Sequence, residues 1–143
     1  MSLALYWYLC ANENNSVSPG IILTQAALER LAHEIAGKRV RSDFPGVWIG
    51  KALKAENIDL RIPRSCQTLE ALRRRENVAD GPEMLTRLRN DLVHAEMKIN
   101  VSTEEYIEAR NMGQWYVELL LLKLFHYSGS YTNRLTRQYE VVV

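Results

Sequence analysis

Between Trp115 and Phe125 the chain is almost continuously apolar, broken only by Glu118 and Lys123. A stretch like this either crosses a membrane or is buried on every side by other helices. It is too short for a bilayer core, which needs about 20 apolar residues. It therefore predicts a helix packed inside a bundle. Ser102-Thr103-Glu104-Glu105 supplies a start signal for that helix, a capping box with Ser at the cap and Glu three residues on. The longest helix is thus expected over roughly 103–126.

The rest of the chain supplies partners for it. A short apolar helix is expected over 3–12, with Leu3, Leu5, Trp7 and Leu9. Asn12 to Gly20 reads as a loop, and Ser18-Pro19 as a cap followed by Pro at the first helical position. Ile21, Leu28, Leu31 and Ile35 then form a helical stripe that ends at Gly37. The break Asp43-Phe44-Pro45-Gly46 leads into a helix carrying Ile49 and Leu53, and Ile58 to Pro63 reads as an extended connector. Cys66 to Glu76 reads as a further helix. Asp80-Gly81-Pro82-Glu83 is a helix start with an Asp cap, and Met84, Leu85, Leu88 and Leu92 continue it. Tyr127 to Tyr131 reads as a loop, and the tail from Tyr139 as extended. The expected fold is all-α, a single domain over 1–143 with five or six helices. At 143 residues, roughly 70% of the unfolded surface can be buried, so neither metal nor disulfide is needed for a core.

Charge and cysteine usage narrow the function classes. The net charge is +1, so the whole chain lacks the basic excess of a nucleic-acid binder and any such footprint must be local. Cys10 and Cys66 form no CxxC and read as reduced thiols of a cytoplasmic protein. His33, His94 and His126 stand at no metal-ligand spacing, and no cofactor is implied. The N-terminus has no basic region or cleavage site of a signal peptide. The first helix starts without a cap, as if cut from a longer polypeptide.

The segment with chemical potential is Arg89-Asn90-Asp91-Leu92-Val93-His94. Arg and His five residues apart on a continuous helix point about 140° away from each other. They converge only if the helix ends or bends between them, and a loop through Lys98 and Asn100 is expected just past His94. Spacing alone is weak, since chance supplies roughly 0.3 such pairs in a chain of this composition. The plain alternative is a helix with an Arg87–Asp91 ion pair and a surface histidine.

Context strengthens the segment. The string from Asp80 to His94 resembles the core of HEPN domains, in which an Arg and a polar residue precede a His four to six positions after the Arg. Ala27 to Leu31, Trp115 to Leu124 and Tyr131 to Leu135 resemble flanking features of the Apea-like branch, in the same order. The resemblance implies a helical bundle that often pairs so that two motifs face one cleft. It also implies metal-independent RNA cleavage in many members, and placement at the C-terminal end of larger proteins, some in anti-phage defence. On that footing Arg89, Asn90 and His94 are catalytic candidates, and Asp91 and Arg87 substrate-binding candidates. His94 would move the proton, its unperturbed pKa being near neutrality. Arg89 would hold the phosphate and its developing charge. Asn90 would orient the phosphate or a group of a partner chain, and Asp91 would hold Arg87 or Arg89. RNA and a second copy of the chain are the implied partners, with no membrane. The alternative is a catalytically silent HEPN module for dimerisation or for binding RNA or nucleotide. Arg73-Arg74-Arg75 and Lys38, Arg39 and Arg41 read as solvated surface before phosphate contacts. Trp48, Trp115 and Tyr116 read as core before base-stacking platforms.

Overall fold

In the computed structural model, residues 2–13, 16–94 and 99–142 are described. Six helices follow in order: α1 (Ser2–Glu13), α2 (Val17–Ala36), α3 (Pro45–Ala55), α4 (Gln67–Arg75), α5 (Gly81–Val93) and α6 (Thr103–Leu124). Two strands, β1 (Ser130–Thr132) and β2 (Tyr139–Val141), form an antiparallel hairpin with Tyr131 opposite Glu140. The all-α bundle expected from the sequence is what forms, with the hairpin added to it. Among the described residues, no helix is long and apolar enough to cross a membrane.

Helices α2 and α6 are the long inner pair. Helix α2 packs against α1, α3, α5 and α6, while α6 also receives α4 and α5. The buried face of α6 carries Met112, Tyr116, Val117 and Leu120, all fully buried. Gly113 permits the close approach there: a Cβ would sit 2.8 Å from Thr24 Cγ2 and 2.9 Å from Leu85 Cδ2. The capping box at Ser102 and Glu105 is present in both directions.

The helix ends follow local chemistry. After α3, α4 and α6, the residues Asn57, Asn77 and His126 adopt positive φ of 58°, 52° and 52°. In each case the two following-turn N–H groups reach back to the last helical carbonyls, as in Ile58 N to Leu53 O at 2.9 Å and Asn57 N to Lys54 O at 3.0 Å. This is the Schellman arrangement, which Asn tolerates best after Gly. His126 is thereby spent on ending α6. His33 lies edge-on to Trp48, with ring centroids 6.3 Å apart. Trp48 and Tyr116 are core residues, and Trp115 is half-buried, as the helical spacing predicts. Cys10 and Cys66 are both free thiols.

Two local expectations are corrected. Helix α2 starts at Val17 with Ser16 as its cap, so Ser18-Pro19 lies inside its first turn. Proline is accepted there because the first N–H groups have no partner within the helix. The region 127–131, expected as loop, contributes Ser130 and Tyr131 to β1. Three-residue strands are too short for alternation to reveal. They are held by Asn133, whose N–H donates to Gln138 O at 2.8 Å and whose side-chain amide donates to Glu140 Oε1 at 2.8 Å.

Candidate functional site

Helix α5 positions the Arg89–His94 segment, and its start is rigidly set. Asp80 Oδ1 accepts the Glu83 N–H at 3.0 Å, as the sequence predicts for a cap. The Gly81 N–H donates to Leu60 O at 2.9 Å, so the connector after Ile58 braces the first turn. Gly46 at the start of α3 lies against that turn so closely that a Cβ would be 2.7 Å from Glu83 Cα. Met84, Leu85 and Leu88 are fully buried and fix the rotation of the helix. Gln25 of α2 donates to Thr86 Oγ1 at 2.9 Å and to Glu29 Oε1 at 3.2 Å, which gives Glu29 a packing role.

Past Leu88 the polar residues divide into two groups. Arg87 and Asp91 are absorbed by the fold, and not by each other. The Arg87 guanidinium pairs with Glu76 Oε2 at 3.1 Å and thereby ties α5 to the end of α4. Asp91 Oδ1 accepts the Ile99 N–H at 3.0 Å, and Oδ2 accepts the Tyr106 hydroxyl at 3.0 Å. Thus neither the Arg87–Asp91 pair nor the expected Asp91 grip on Arg89 forms. The carboxylate instead pins the chain back onto α5 beyond His94. Burial first, then the hydrogen bond to Asp91, pushes the Tyr106 hydroxyl up to about 12. Tyr106 and Glu76 were legible only as part of the apolar stripe and of a charged run. Their partners lie 15 and 11 residues away, at no helical spacing.

Arg89, Asn90 and His94 form the second group. Arg89 is half-buried, and its Nη1 donates to Asn90 Oδ1 at 3.0 Å. Its Nε is buried without a hydrogen-bond partner. Among the described residues, no carboxylate pairs with this guanidinium and no hydrogen bond engages the exposed His94 ring.

The expected bend between Arg89 and His94 is absent. The helix runs through Val93, and the His94 N–H still donates to Asn90 O at 2.8 Å. The backbone turns only at His94 itself, with φ −109° and ψ 118°. Within one chain the two residues therefore keep a helical offset of about 140°. His94 instead shares its helix face with Arg87, two turns earlier and about 20° away. The loop expected through Lys98 falls largely on 95–98, outside the described residues.

Among the clefts formed by the described residues, two that lie elsewhere are lined by arginines. One, of about 470 Å³, is lined by Tyr8, Glu118, Phe125, Tyr131 and Arg134 among others. Its polar groups satisfy one another: Glu118 Oε1 accepts the Tyr8 hydroxyl at 2.6 Å and Arg134 at 2.6 Å, and Arg134 reaches Asn12 Oδ1 at 2.6 Å. This network fastens α1 and the hairpin to α6. The second cleft, of about 760 Å³, lies along α4 and is lined by four arginines. Among the described residues, no group of three or more His, Cys, Asp or Glu side chains is placed to hold a metal ion.

The structure thus defines a helical domain with a C-terminal hairpin and one helix end where, among the described residues, an arginine has no carboxylate partner and a histidine ring is exposed. The chain belongs to the YopA C-terminal domain family, whose model matches residues 1–143. It is 29% identical over 141 residues to the SPbeta prophage-derived uncharacterized protein YopA of Bacillus subtilis strain 168. That match covers 92% of this chain and 31% of the relative, so the chain spans about a third of the relative's length. No solved structure matches.

Proposed function

We propose that this domain is a metal-independent endoribonuclease of HEPN type, with Arg89, Asn90 and His94 contributed to a site shared by two copies of the chain. One observation carries the reading. In the last two turns of α5 the fold consumes Arg87 and Asp91 but, among the described residues, leaves the Arg89 guanidinium without a carboxylate and the His94 ring exposed. A buried guanidinium N–H with no acceptor is costly, and the guanidinium's outer N–H groups, which no described carboxylate neutralises, are the ones an incoming phosphate would engage. Because the helical ladder holds the two side chains about 140° apart, one chain alone does not bring them to one phosphate. Two copies related by a twofold axis would place Arg89 of one beside His94 of the other.

The chemistry needs no further group. His94 takes the proton of a ribose 2′-hydroxyl, whose oxygen attacks the adjacent phosphorus. The bond from phosphorus to the 5′-oxygen breaks, and that oxygen leaves with a proton from a histidinium. The products are a 2′,3′-cyclic phosphate and a 5′-hydroxyl end. Arg89 holds the equatorial oxygens as charge builds on them, with Asn90 fixing its guanidinium. DNA, which lacks the 2′-hydroxyl, resists.

The same unbroken ladder favours a second reading, a catalytically silent module that dimerises or binds RNA or nucleotide. Incubation of single-stranded RNA with the protein in EDTA separates the two. The enzyme reading expects cyclic-phosphate ends from wild type and their loss in His94→Ala and Arg89→Ala. Equal products from all three overturn it, and no products with RNA binding retained support the silent module. The place of the domain in a longer polypeptide, and any role in anti-phage defence, belong to the same proposal.

A further inference from the structure

The groove along α4 is the second site with unspent charge. It lies between the connector at 61–64 and one face of α4, where Gln67, Glu70, Ala71 and Arg74 follow at helical spacing. Arg61, Arg64, Arg73 and Arg74 line it, and Glu70 is the one acidic lining residue. Glu70 is shared: Oε2 pairs with Arg73 at 2.8 Å and Oε1 with Arg74 at 2.7 Å. Arg61 is held by Asp59 at 2.5 Å. Even with Asp59 and with Asp80, whose charge acts on Arg73, four guanidiniums face three carboxylates, a surplus of one within one groove of a chain whose total is +1. Among the described residues no carboxylate pairs with Arg64. Arg61 and Arg74 expose 88% and 74% of their side chains, so both are available to a ligand.

Two features indicate what would lie there. Arginine forks match phosphate oxygens in pairs, and apart from Gln67 the uncharged lining is small or aliphatic, with no aromatic platform for stacking a base. Contacts there would be to a backbone and not to bases. Beyond the groove's lining, the end of α4 contacts α5 and the segment before α6. At the end of α4, Arg75 donates to Asn100 O, and Glu76 pairs with Arg87. Asn100 follows Ile99, whose N–H is held by Asp91. A chain of contacts thus runs from the groove to the Arg89–His94 segment.

We propose that this groove seats the phosphodiester backbone of an RNA strand and delivers it to the end of α5. The choice of RNA rests on the endoribonuclease reading, while the surplus of arginine and the lining are independent of it. Arg73 is left out of the contact set because it also donates to Val78 O at 2.6 Å and closes its own helix.

The test is fluorescence anisotropy with a labelled single-stranded RNA, in a His94→Ala background so that the probe is not cut. Adding Arg61→Ala, Arg64→Ala and Arg74→Ala should weaken binding at least about tenfold and lower the slope of log K against log salt by about 2. Circular dichroism melting checks that the triple variant stays folded, as three exposed side chains predict. Glu70→Gln should tighten binding, because it releases Arg74 and removes the one carboxylate that lines the groove. Unchanged affinity and salt slope in the triple variant would overturn the groove, as would absence of RNA binding by the parent. Displacement of RNA by polyglutamate at equal charge concentration would overturn it too, by assigning the groove to acidic peptides. Cleavage separates the two proposals. Wild type that cuts RNA alongside a triple variant that binds it normally removes the groove alone. Wild type that binds through the groove without cutting removes the cleavage reading alone.

Discussion

The two halves of α5 are built from the same kinds of residue but put to opposite use. In the first half every polar group is committed. Asp80 caps the helix, Gly81 is braced by Leu60, and Thr86 receives the amide of Gln25. In the second half Arg87 and Asp91 are committed outward, to Glu76 and Tyr106, while among the described residues Arg89 reaches only its neighbour Asn90 and the His94 ring makes no hydrogen bond. A helix with a saturated start holds its own end still. On the proposed reading, groups left without an ion-pair partner at that end are available to a phosphate.

Substitutions that invert this contrast should separate activity from stability. The largest effect belongs to the open end. His94→Ala should lower RNA cleavage by about 10²–10⁴-fold, the usual weight of a positioned acid or base, with the melting temperature little changed. A parallel fall in melting temperature would mean that His94 serves the fold.

Next comes the closed end, where effects fall on stability. Gly46→Ala places a Cβ 2.7 Å from the Glu83 backbone and 2.9 Å from Pro82 O. Backbone cannot rotate away as a side-chain tip can. Denaturant unfolding should show a loss of about 1–3 kcal/mol. Wild-type stability in this variant would mean that α3 and α5 are not locked at that crossing. Asp80→Ala removes one cap hydrogen bond and should cost about 1 kcal/mol by the same measurement.

The smallest effect lies between the two halves. Tyr106→Phe removes one hydrogen bond to Asp91 and should cost about 1 kcal/mol. It should also change the alkaline limb of stability. The Tyr106 hydroxyl is raised from 10.0 to about 12, so its contribution is full below about 10 and is lost as pH rises through about 12. Unfolding followed from pH 9 upward should show wild type losing more than Tyr106→Phe over that window. Equal slopes would remove the Tyr106–Asp91 contact from the account. At the groove the sign is opposite. Arg73 and Arg74 hold Glu70 down to about 2, so that contribution is present above about 4.5 and is lost as pH falls toward about 2.

The helices were legible where their ends carry side-chain chemistry. The Asp80 cap, the Ser102–Glu105 box and the stop before Gly37 are all where spacing puts them. Of the hairpin only the extended tail from Tyr139 was legible; β1 and the pairing were not, because the strands are short and are held by Asn133 and Glu140 across the turn. At the site, Arg89, Asn90 and His94 were identifiable as residue types in order. The roles of Arg87 and Asp91 were not, because helical spacing proposes each as the other's partner. The tertiary fold instead supplies Glu76 and Tyr106 from α4's end and from α6. The bend needed to unite Arg89 and His94 within one chain also failed to form, since His94 still donates into the helical ladder. The site shared by two copies, which the resemblance already implied, therefore stays the proposal.

The most direct test of that claim is complementation between the two single variants. Arg89→Ala and His94→Ala chains, each inactive alone, are co-expressed so that mixed dimers form. If each site takes Arg89 from one copy and His94 from the other, half of the dimers are mixed and each has one intact site. RNA cleavage should then recover to about one quarter of the wild-type rate per chain. A mixture as inactive as either variant alone would contradict the shared site.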